Sequence, residues 1–352
     1  MGCRASDHNL NGNFLNMKRR DLIKSAAAGL AAAPLALSAT TAKAATSLRM
    51  QTYWGKEANE IFDAFTDDVK TASNDELRIR RYTGSSLVPD AEMFQAVGKG
   101  TIDMCQGYAG YWPGQLDIAS IEAGLPGAWT NYDEAMYIMD TKGLIGLIRE
   151  AYAEHNVHYL GPIMGGPFDL LTKQPVKSLD DLKTMKIRAT PSVAKILEQF
   201  DIPTVFLPGS ELYVGLSTGT IDGVIYAGTN EYLSMKLYEA AKYYTSLNMV
   251  SPGYTDQILV NLEKWNSLTE EQRKCIELGY EKHATKMHTW MVSGSIDAST
   301  TGHFEMSALP AEDSARLRKA ADVIWEEEAA KSERNKKAIE ILREAAKATG
   351  RA

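Results

Sequence analysis

Segments of β-branched and aromatic residues alternate with helical patterns of apolar residues along most of the chain. Residues 48–54 and 77–82 have the composition of strands, and residues 57–71 between them place Ile61 and Phe65 on one apolar helix face. Alternation of this kind predicts an α/β fold, in which helices cover a mostly parallel sheet. Because ligands bind beyond the carboxyl ends of such strands, the residues that directly follow each strand are the candidates for function.

One stretch of the chain occurs twice. Residues 211–226 read ELYVGLSTGTIDGVIY and residues 92–104 read EMFQAVGKGTIDM, with the acid, the apolar positions, the glycine and Thr-Ile-Asp in the same order. In the second copy the spacing predicts a short helix that ends at Gly219, a left-handed cap, and a strand that begins at Thr220. Two such copies indicate two similar α/β lobes, and two lobes form a cleft.

The first 44 residues have the pattern of a secretory signal peptide. The paired arginines at 19–20 precede an apolar run over residues 26–39 and an Ala-x-Ala site at 42–44. The arginine pair favours the twin-arginine export route, and Met17 is the expected start of the peptide. The apolar run is shorter than the ~20 residues of a comfortable membrane-spanning helix, so we predict cleavage rather than a retained anchor.

Charge and cysteine content narrow the class of protein further. Residues 1–44 hold six of the 38 Lys and Arg and two of the 45 Asp and Glu, which leaves a mature chain of 308 residues with a net charge of −11. A chain this acidic, with no basic tract, is not expected to bind nucleic acid or anionic lipid surfaces. Cys105 and Cys275 lack the spacing of metal ligands, and a disulfide between them is an open alternative.

Two crossing points divide the mature chain into lobes. A Gly-Pro break after the strand that begins at residue 157 indicates the first crossing, and the segment around Gln257 has the pattern of a strand that returns. The C-terminal segment is predicted to be helical and to pack across both lobes. The predicted boundaries are residues 45–164 with 253–300 for lobe I, residues 165–252 for lobe II and residues 301–352 for the C-terminal helices.

The chain lacks the motifs of common enzyme classes. It contains no Gly-x-Ser-x-Gly, phosphate loop, dinucleotide-binding fingerprint or metal-ligand pair, so neither an enzyme nor a cofactor is predicted. Tyr108 and Tyr111 instead lie among glycines after the first Thr-Ile-Asp, and their rings suit a cleft wall. Arg188, on a short predicted strand, is the sharpest candidate, because a guanidinium matches a carboxylate with two parallel hydrogen bonds. A structural role is the alternative for each of these residues.

Several stretches, in this order and spacing, resemble one protein family. They are Gly84-Ser-Ser-Leu-Val-Pro, the unit over residues 92–103, Lys186-Ile-Arg-Ala-Thr-Pro, and Leu207-Pro-Gly-Ser-Glu-Leu-Tyr with the Gly-Thr-Ile-Asp-Gly that follows. Over nearly its whole length the mature chain resembles the DctP-type solute-binding subunits of tripartite ATP-independent periplasmic (TRAP) transporters. The resemblance implies a type II periplasmic binding protein, an α/β protein with two lobes, a cleft between them and long C-terminal helices.

The resemblance also implies which residues contact the ligand. In that family the arginine of the Lys-Ile-Arg strand, here Arg188, clamps the ligand carboxylate. The residue shortly after the second Thr-Ile-Asp, here Tyr226, is a further ligand contact. The other candidates for the same cleft, in chain order, are Trp54, Tyr108, Tyr111, Phe168 and Gln257.

The sequence departs from those members of the family that bind a cation beside the ligand. Such members tend to carry Gln before Met-Gly-Gly and Glu-Trp after the second Asp, where this chain has Ile163 and the pair Ile225-Tyr226. No metal is therefore predicted at the site. Asp256 and Gln257 are an alternative source of a polar contact.

The predicted function combines these observations. The protein is expected to capture a small organic acid, such as a keto, hydroxy or aromatic acid, in the periplasm by hinge closure. It would then deliver the acid to the small and large membrane subunits of a TRAP transporter. Two alternatives stay open, namely a sensory binding module for a membrane receptor and, with less support, an enzyme on the same two-lobed scaffold. The sequence does not identify the acid.

Overall fold

Two mixed β-sheets, each covered by helices, form the two lobes of the protein. The computed structural model describes residues 45–248 and 253–350, so the predicted signal peptide over residues 1–44 lies outside the described residues. Within the described part of the chain, no helix is both long enough and apolar enough to cross a membrane.

The strands of the described residues are divided between the two sheets. In chain order they are β1 (Thr46–Thr52), β2 (Leu77–Tyr82), β3 (Met104–Tyr108), β4 (Val157–Met164), β5 (Leu170–Thr172), β6 (Ile187–Arg188), β7 (Thr204–Val205), β8 (Gly223–Ile225), β9 (Tyr243–Ser246), β10 (Thr255–Asn261) and β11 (Glu305–Ala308). The first sheet has the order β2-β1-β3-β10-β4 and the second the order β11-β9-β5-β8-β6-β7. The sheets are mixed rather than mostly parallel, because β10 is antiparallel to β3 and β4, and β5 is antiparallel to β8 and β9.

The helices follow the predicted alternation with the strands. They are α1 (Asn59–Ala72), α2 (Met93–Gly98), α3 (Ala119–Glu122), α4 (Tyr132–Met136), α5 (Leu144–Ala153), α6 (Pro191–Glu198), α7 (Leu212–Thr218), α8 (Thr229–Ser234), α9 (Leu262–Ser267), α10 (Glu270–Thr300), α11 (Ala311–Ala329) and α12 (Glu333–Ala348). The long helix α10 packs against α1 and β4 beside the first sheet and against α8 beside the second. It therefore braces both lobes.

The repeated stretch forms the same structural unit in each lobe. In both copies a 3-10 turn leads into a short helix, α2 or α7, and Thr-Ile-Asp forms the turn before strand β3 or β8. The Asp103 carboxylate accepts a hydrogen bond from the backbone N–H of Arg49 at 2.7 Å, and Asp222 accepts one from Lys186 at 2.9 Å. The prediction of two similar units is confirmed. Each strand begins only after its Thr-Ile-Asp, because the aspartate ties the turn to the neighbouring strand.

The sequence pattern failed to indicate strand β11. Helix was predicted throughout the C-terminal segment, whereas Glu305–Ala308 pairs in parallel with β9 and extends the second sheet. The four side chains of β11 are exposed, and the pairing begins with a backbone hydrogen bond of 2.8 Å from Glu305 to the carbonyl of Lys242. No apolar alternation accompanies an exposed edge strand of this kind, so periodicity does not reveal it.

The start of α10 provides a test of local stability. The Thr269 hydroxyl accepts a hydrogen bond from the Gln272 N–H, and the Gln272 side chain accepts one from the Thr269 N–H, each at 3.2 Å. Thr269→Ala removes half of this capping box and is expected to lower the free energy of unfolding by about 1 kcal/mol. Urea unfolding followed by circular dichroism measures the effect. Thr285→Ala, an exposed mid-helix change, is the control, and equal midpoints for the two variants would contradict the capping role.

Candidate ligand-binding site

A small cavity lies at the strand ends of both sheets. Its lining combines residues from the ends of β1, β3, β6 and β8 with residues of the connections beside β5 and β10. The cavity has a volume of about 10 Å³, room for about one water-sized molecule, so even a small ligand requires its walls to move apart. The lining residues are Tyr53, Tyr108, Tyr111, Phe168, Arg188, Thr190, Tyr226 and Tyr254.

Six of the lining residues form an aromatic wall, a name used below for Tyr53, Tyr108, Tyr111, Phe168, Tyr226 and Tyr254. The Tyr108 ring makes edge contacts with the rings of Tyr111, Phe168 and Tyr254 at centroid distances of 5.4, 5.7 and 5.5 Å. Centroid distances in this range with steep interplanar angles are the favoured geometry of aromatic pairs. Tyr53 joins this cluster through an edge contact with Tyr111 at 5.9 Å, and Tyr226 adjoins it through Arg188. The wall therefore connects residues that are far apart in sequence.

Two of these rings pack directly against glycine residues. A Cβ added at Gly165 would lie 2.6 Å from the ring of Tyr254, and one added at Gly209 would lie 2.7 Å from the Tyr226 hydroxyl oxygen. Gly165 belongs to the predicted lobe crossing and Gly209 to the turn before α7. These two glycines thus let the backbone approach the wall closely, as the sequence predicts for the glycines around Tyr108 and Tyr111.

Among the described residues that line the cavity, Arg188 is the one that is charged, and its side chain is fully buried. Its Nε donates a hydrogen bond to the Leu207 carbonyl at 2.8 Å, and its Nη1 donates to the Ile225 carbonyl at 2.9 Å. Its Nη2 has no hydrogen-bond partner in the described residues. The guanidinium also lies over the rings of Phe206 and Tyr226, at 5.4 and 5.1 Å from their centroids.

This arrangement holds a buried cation in place without neutralising it. No carboxylate of the described residues lies within ion-pair distance of Arg188. The two backbone carbonyls use two of the five guanidinium N–H groups, which leaves three on Nη1 and Nη2. A buried charge is costly unless it is paired, so an anion that accepts several hydrogen bonds would complement this guanidinium.

A carboxyl group lies behind the aromatic wall. Asp256 is fully buried on β10, directly opposite Tyr108 on β3, and its Oδ2 accepts hydrogen bonds from the Tyr53 hydroxyl at 2.7 Å and from Trp54 Nε1 and Gln106 Nε2 at 3.3 Å each. Burial raises the pKa of Asp256 to about 7, although these three hydrogen bonds act in the opposite direction. Its Oδ1 has no partner in the described residues.

The tyrosines of the wall stay neutral at physiological pH. Burial raises the pKa of every one of them, to about 12 for Tyr111, and the positive charge of Arg188 lowers the pKa of Tyr108, Tyr111 and Tyr226 only in part. The wall therefore presents uncharged rings and phenols to whatever Arg188 binds.

The structure brings five of the seven predicted contact residues to the cavity, namely Tyr108, Tyr111, Phe168, Arg188 and Tyr226. Trp54 lies behind Tyr53, with its ring edge on Trp290 at 5.5 Å. Gln257 points away from the wall and donates a hydrogen bond of 3.4 Å to the Tyr152 hydroxyl. Because side chains alternate along a strand, Asp256 faces the wall and Gln257 the opposite side.

Three lining residues were not predicted, and each has a signal in the sequence. Tyr53 directly precedes Trp54, and either aromatic residue could follow the first strand into the cleft. Thr190 lies two positions after Arg188, on the same side of an extended chain. Tyr254 precedes β10, and the start of an antiparallel strand lies at the same sheet edge as the ends of its parallel neighbours.

The two positions that bear on cation binding hold apolar side chains. Ile163 and Ile225 are both buried, and the Ile225 carbonyl is occupied by Arg188. The described residues contain no group of three or more His, Cys, Asp or Glu placed to hold a metal ion. Cys105 and Cys275 are both free cysteines.

Comparisons with known proteins agree with this architecture. The profile of the DctP family, bacterial extracellular solute-binding proteins of family 7, matches residues 47–332. The chain is 28% identical over 274 residues to the monocarboxylate 2-oxoacid-binding periplasmic protein of Nostoc sp., with 73% of each chain covered. A TRAP periplasmic solute-binding protein from Chromohalobacter salexigens, solved with (S)-(+)-2-amino-1-propanol, is 27% identical, with a TM-score of 0.79 and coverage of 85% of this chain and 94% of that one.

A second solved structure supports the fold alone. The TRAP solute-binding protein from Bordetella bronchiseptica, with calcium and picolinate, has a TM-score of 0.79 at 20% identity and covers 88% of this chain and 94% of its own. The family profile spans the strands of both sheets and the arginine, aromatic wall and repeat described above. The chain belongs to the DctP family of bacterial extracellular solute-binding proteins, the solute-binding subunits of TRAP transporters.

Proposed function

We propose that this protein captures a small organic acid in the cavity and holds the acid's carboxylate on Arg188. The observation that carries the proposal is the buried guanidinium, which is fixed by two backbone carbonyls and has an unpartnered Nη2. A carboxylate supplies the missing negative charge and two acceptor oxygens in a geometry that matches the guanidinium fork. The aromatic wall then covers the remainder of the acid.

The ligands named for the relatives include both acids and an amino alcohol. The Nostoc relative is described as binding 2-oxoacids and the Bordetella structure contains picolinate, whereas the Chromohalobacter structure contains an amino alcohol. An amino alcohol carries a cationic group at neutral pH, and a cation next to the unpaired Arg188 would be repelled. The charge of the site therefore favours the acid.

Capture requires the site to open and then to close. The cavity in this conformation is too small for an acid of several heavy atoms, and Tyr111 of its lining meets Phe206, from the second sheet region, edge to face at 5.6 Å. We propose that the lobes, residues 45–164 with 253–300 and residues 165–252, open for entry and close over the bound acid. The hinge would include the crossing between β4 and β5.

The family membership suggests what happens after capture. We propose that the protein acts in the periplasm after removal of residues 1–44, and that it hands the acid to the small and large membrane subunits of a TRAP transporter. We assign it no catalytic role, because the lining offers no nucleophile with an adjacent base.

Thermal unfolding in the presence of a panel of ligands tests the proposal. The panel contains matched acids, neutral amides, amino alcohols and sugars, and isothermal titration calorimetry follows each ligand that raises the unfolding temperature. We expect stabilisation by acids and none by the amide of the same acid, because a ligand stabilises the folded state only if it binds that state, and the effect grows with the ratio of ligand concentration to Kd. Stabilisation by sugars or amino alcohols alone would refute the organic-acid function.

A further inference from the structure

We propose that the site selects acids with a single carboxylate, and that Asp256, buried behind the aromatic wall, excludes a second negative charge. The proposal rests on the organic-acid function above and narrows its substrate class. It assigns specificity to a residue that does not line the cavity, and the reasoning starts from how Asp256 is placed.

When it is ionised, Asp256 places a negative charge close to the cavity without a counter-ion among the described residues. The residues between it and the cavity are Tyr53, which donates to Oδ2, and Tyr108, its partner across the β3–β10 ladder. The three hydrogen bonds all go to Oδ2, and Oδ1 is buried without a partner in the described residues. Its negative charge is therefore only partly compensated by dipoles.

The histidine linked to Asp256 through Gln106 is neutral. His283 reaches Asp256 through Gln106, with 2.7 Å between His283 Nε2 and Gln106 Oε1 and 3.3 Å between Gln106 Nε2 and Asp256 Oδ2. Burial lowers the pKa of His283 to about 3, so the imidazole carries no charge near neutral pH. The other titratable groups whose charges interact with Asp256 are Tyr53, Tyr108, Tyr111, Glu122, Tyr226, Glu231 and Tyr254.

The described residues of the cavity lining offer no second cation to a second carboxylate. Arg188 is their single cation, and the hydroxyls of Tyr53 and Tyr254 already donate to Asp256 and to the Met291 sulfur. The other hydroxyls of the lining, including the unpartnered one of Thr190, are neutral donors that bring no positive charge. A second carboxylate bound beyond Arg188 would face aromatic rings, with the charge of Asp256 about one tyrosine side chain further on. Repulsion between unit charges about 8 Å apart at an effective dielectric constant of about 20 weakens binding by at least about tenfold.

Matched acids test this selection in the full protein. Crotonate and fumarate differ by a methyl in place of one carboxylate, and so do p-toluate and terephthalate. The comparison uses a pair of which at least one acid binds. Calorimetry at pH 8.5, above the pKa of about 7 for Asp256, is expected to show that the monocarboxylate of that pair binds at least about tenfold more tightly than the dicarboxylate. Asp256→Asn is expected to reduce that ratio by about tenfold, and Asp322→Asn, an exposed control on α11, to leave it unchanged.

The wild-type protein gives a second measurement that does not depend on the variant. When the pH falls from 8.5 to 6, Asp256 takes up a proton in the folded protein, while both carboxylates of fumarate and terephthalate stay ionised. The preference for the monocarboxylate is therefore expected to shrink. A preference that is constant with pH would overturn the role of Asp256.

Two results separate the two proposals. A dicarboxylate that binds as tightly as its matched monocarboxylate, or is the tightest acid of the whole panel, overturns the selection but leaves the organic-acid function intact. If no acid of the panel binds, the organic-acid function itself fails.

Discussion

Arg188→Ala is expected to weaken binding of the cognate acid by roughly 10- to 100-fold. The reason is the loss of the charge-assisted hydrogen bonds to the ligand carboxylate, which contribute about 1.5–3 kcal/mol to binding. A loss of about 1.4 kcal/mol raises Kd tenfold. Isothermal titration calorimetry with the tightest acid of the panel measures the change. Binding by the variant as tight as that of the wild type would rule out the clamp.

Two further variants separate the clamp from general effects of charge. Arg188→Lys keeps the charge but loses the planar fork and the two carbonyl hydrogen bonds that orient it, so we expect it to recover only part of the affinity. Arg80→Ala removes an exposed arginine from β2 and is expected to bind as the wild type does. Far-ultraviolet circular dichroism of each variant verifies that the fold is retained.

The repeat explains why so much of the architecture is predictable from sequence. Both copies of the helix–turn–strand unit have a glycine or turn at the helix end and an aspartate that binds the neighbouring strand, as Asp103 and Asp222 do. Such local features can be recognised in a single sequence, and they indicate which residues follow strands β3 and β8. Tyr108 and Tyr111 are predicted in this way, whereas the prediction of Tyr226 as a contact comes from the family resemblance.

The rest of the site depends on tertiary packing and strand register, which the sequence of a single strand does not reveal. Which of Tyr53 and Trp54 enters the cavity is decided by the packing of Trp54 on Trp290 of α10, far away in sequence. Which of Asp256 and Gln257 faces the wall depends on the register of β10 against β3, and a shift of one residue would exchange them. Strand register and the direction in which each side chain points are set by tertiary packing. The sequence pattern therefore indicates a pair of adjacent residues but not which of the two enters the cavity.

The buried carboxyl groups are the least predictable feature, although they shape the energetics. Glu122 and Glu231 are fully buried, as Asp256 is, and none of the three forms an ion pair within the described residues. In the sequence they look like ordinary acids of a chain with a net negative charge. Their burial follows from packing, and its consequence is a pH dependence opposite to that of exposed, paired carboxylates.

Folding stability is expected to rise as the pH falls from 8.5 to 6.5, and Glu122 to cause the largest part of the rise. Burial raises the pKa of Glu122 from 4.5 to about 8, and that of Asp256 and Glu231 to about 7. In this window the buried carboxyls take up protons in the folded protein, and the same carboxyls in the unfolded chain, which have ordinary pKa values, do not. Protonation of the unfolded histidines begins near pH 6.5 and offsets a smaller part of the gain. The free energy of unfolding therefore increases on acidification, by about 2 kcal/mol for Glu122 alone.

Urea unfolding of Glu122→Gln at pH 6.5, 7.5 and 8.5 isolates this contribution. The glutamine is neutral throughout and can still accept the hydrogen bond that the Tyr152 hydroxyl donates to Glu122 at 2.7 Å, so the variant should show a smaller change with pH and its largest advantage at pH 8.5. Glu281→Gln, an exposed change on α10, should retain the wild-type slope of stability against pH.

The pH window stops at 6.5 because burial lowers the pKa of His158 to about 4 and of His283 to about 3, so that below 6.5 protonation of the unfolded histidines destabilises the fold. A wild-type stability that is flat or falls between pH 8.5 and 6.5 would show that Glu122 is ionised in the folded protein, despite its burial.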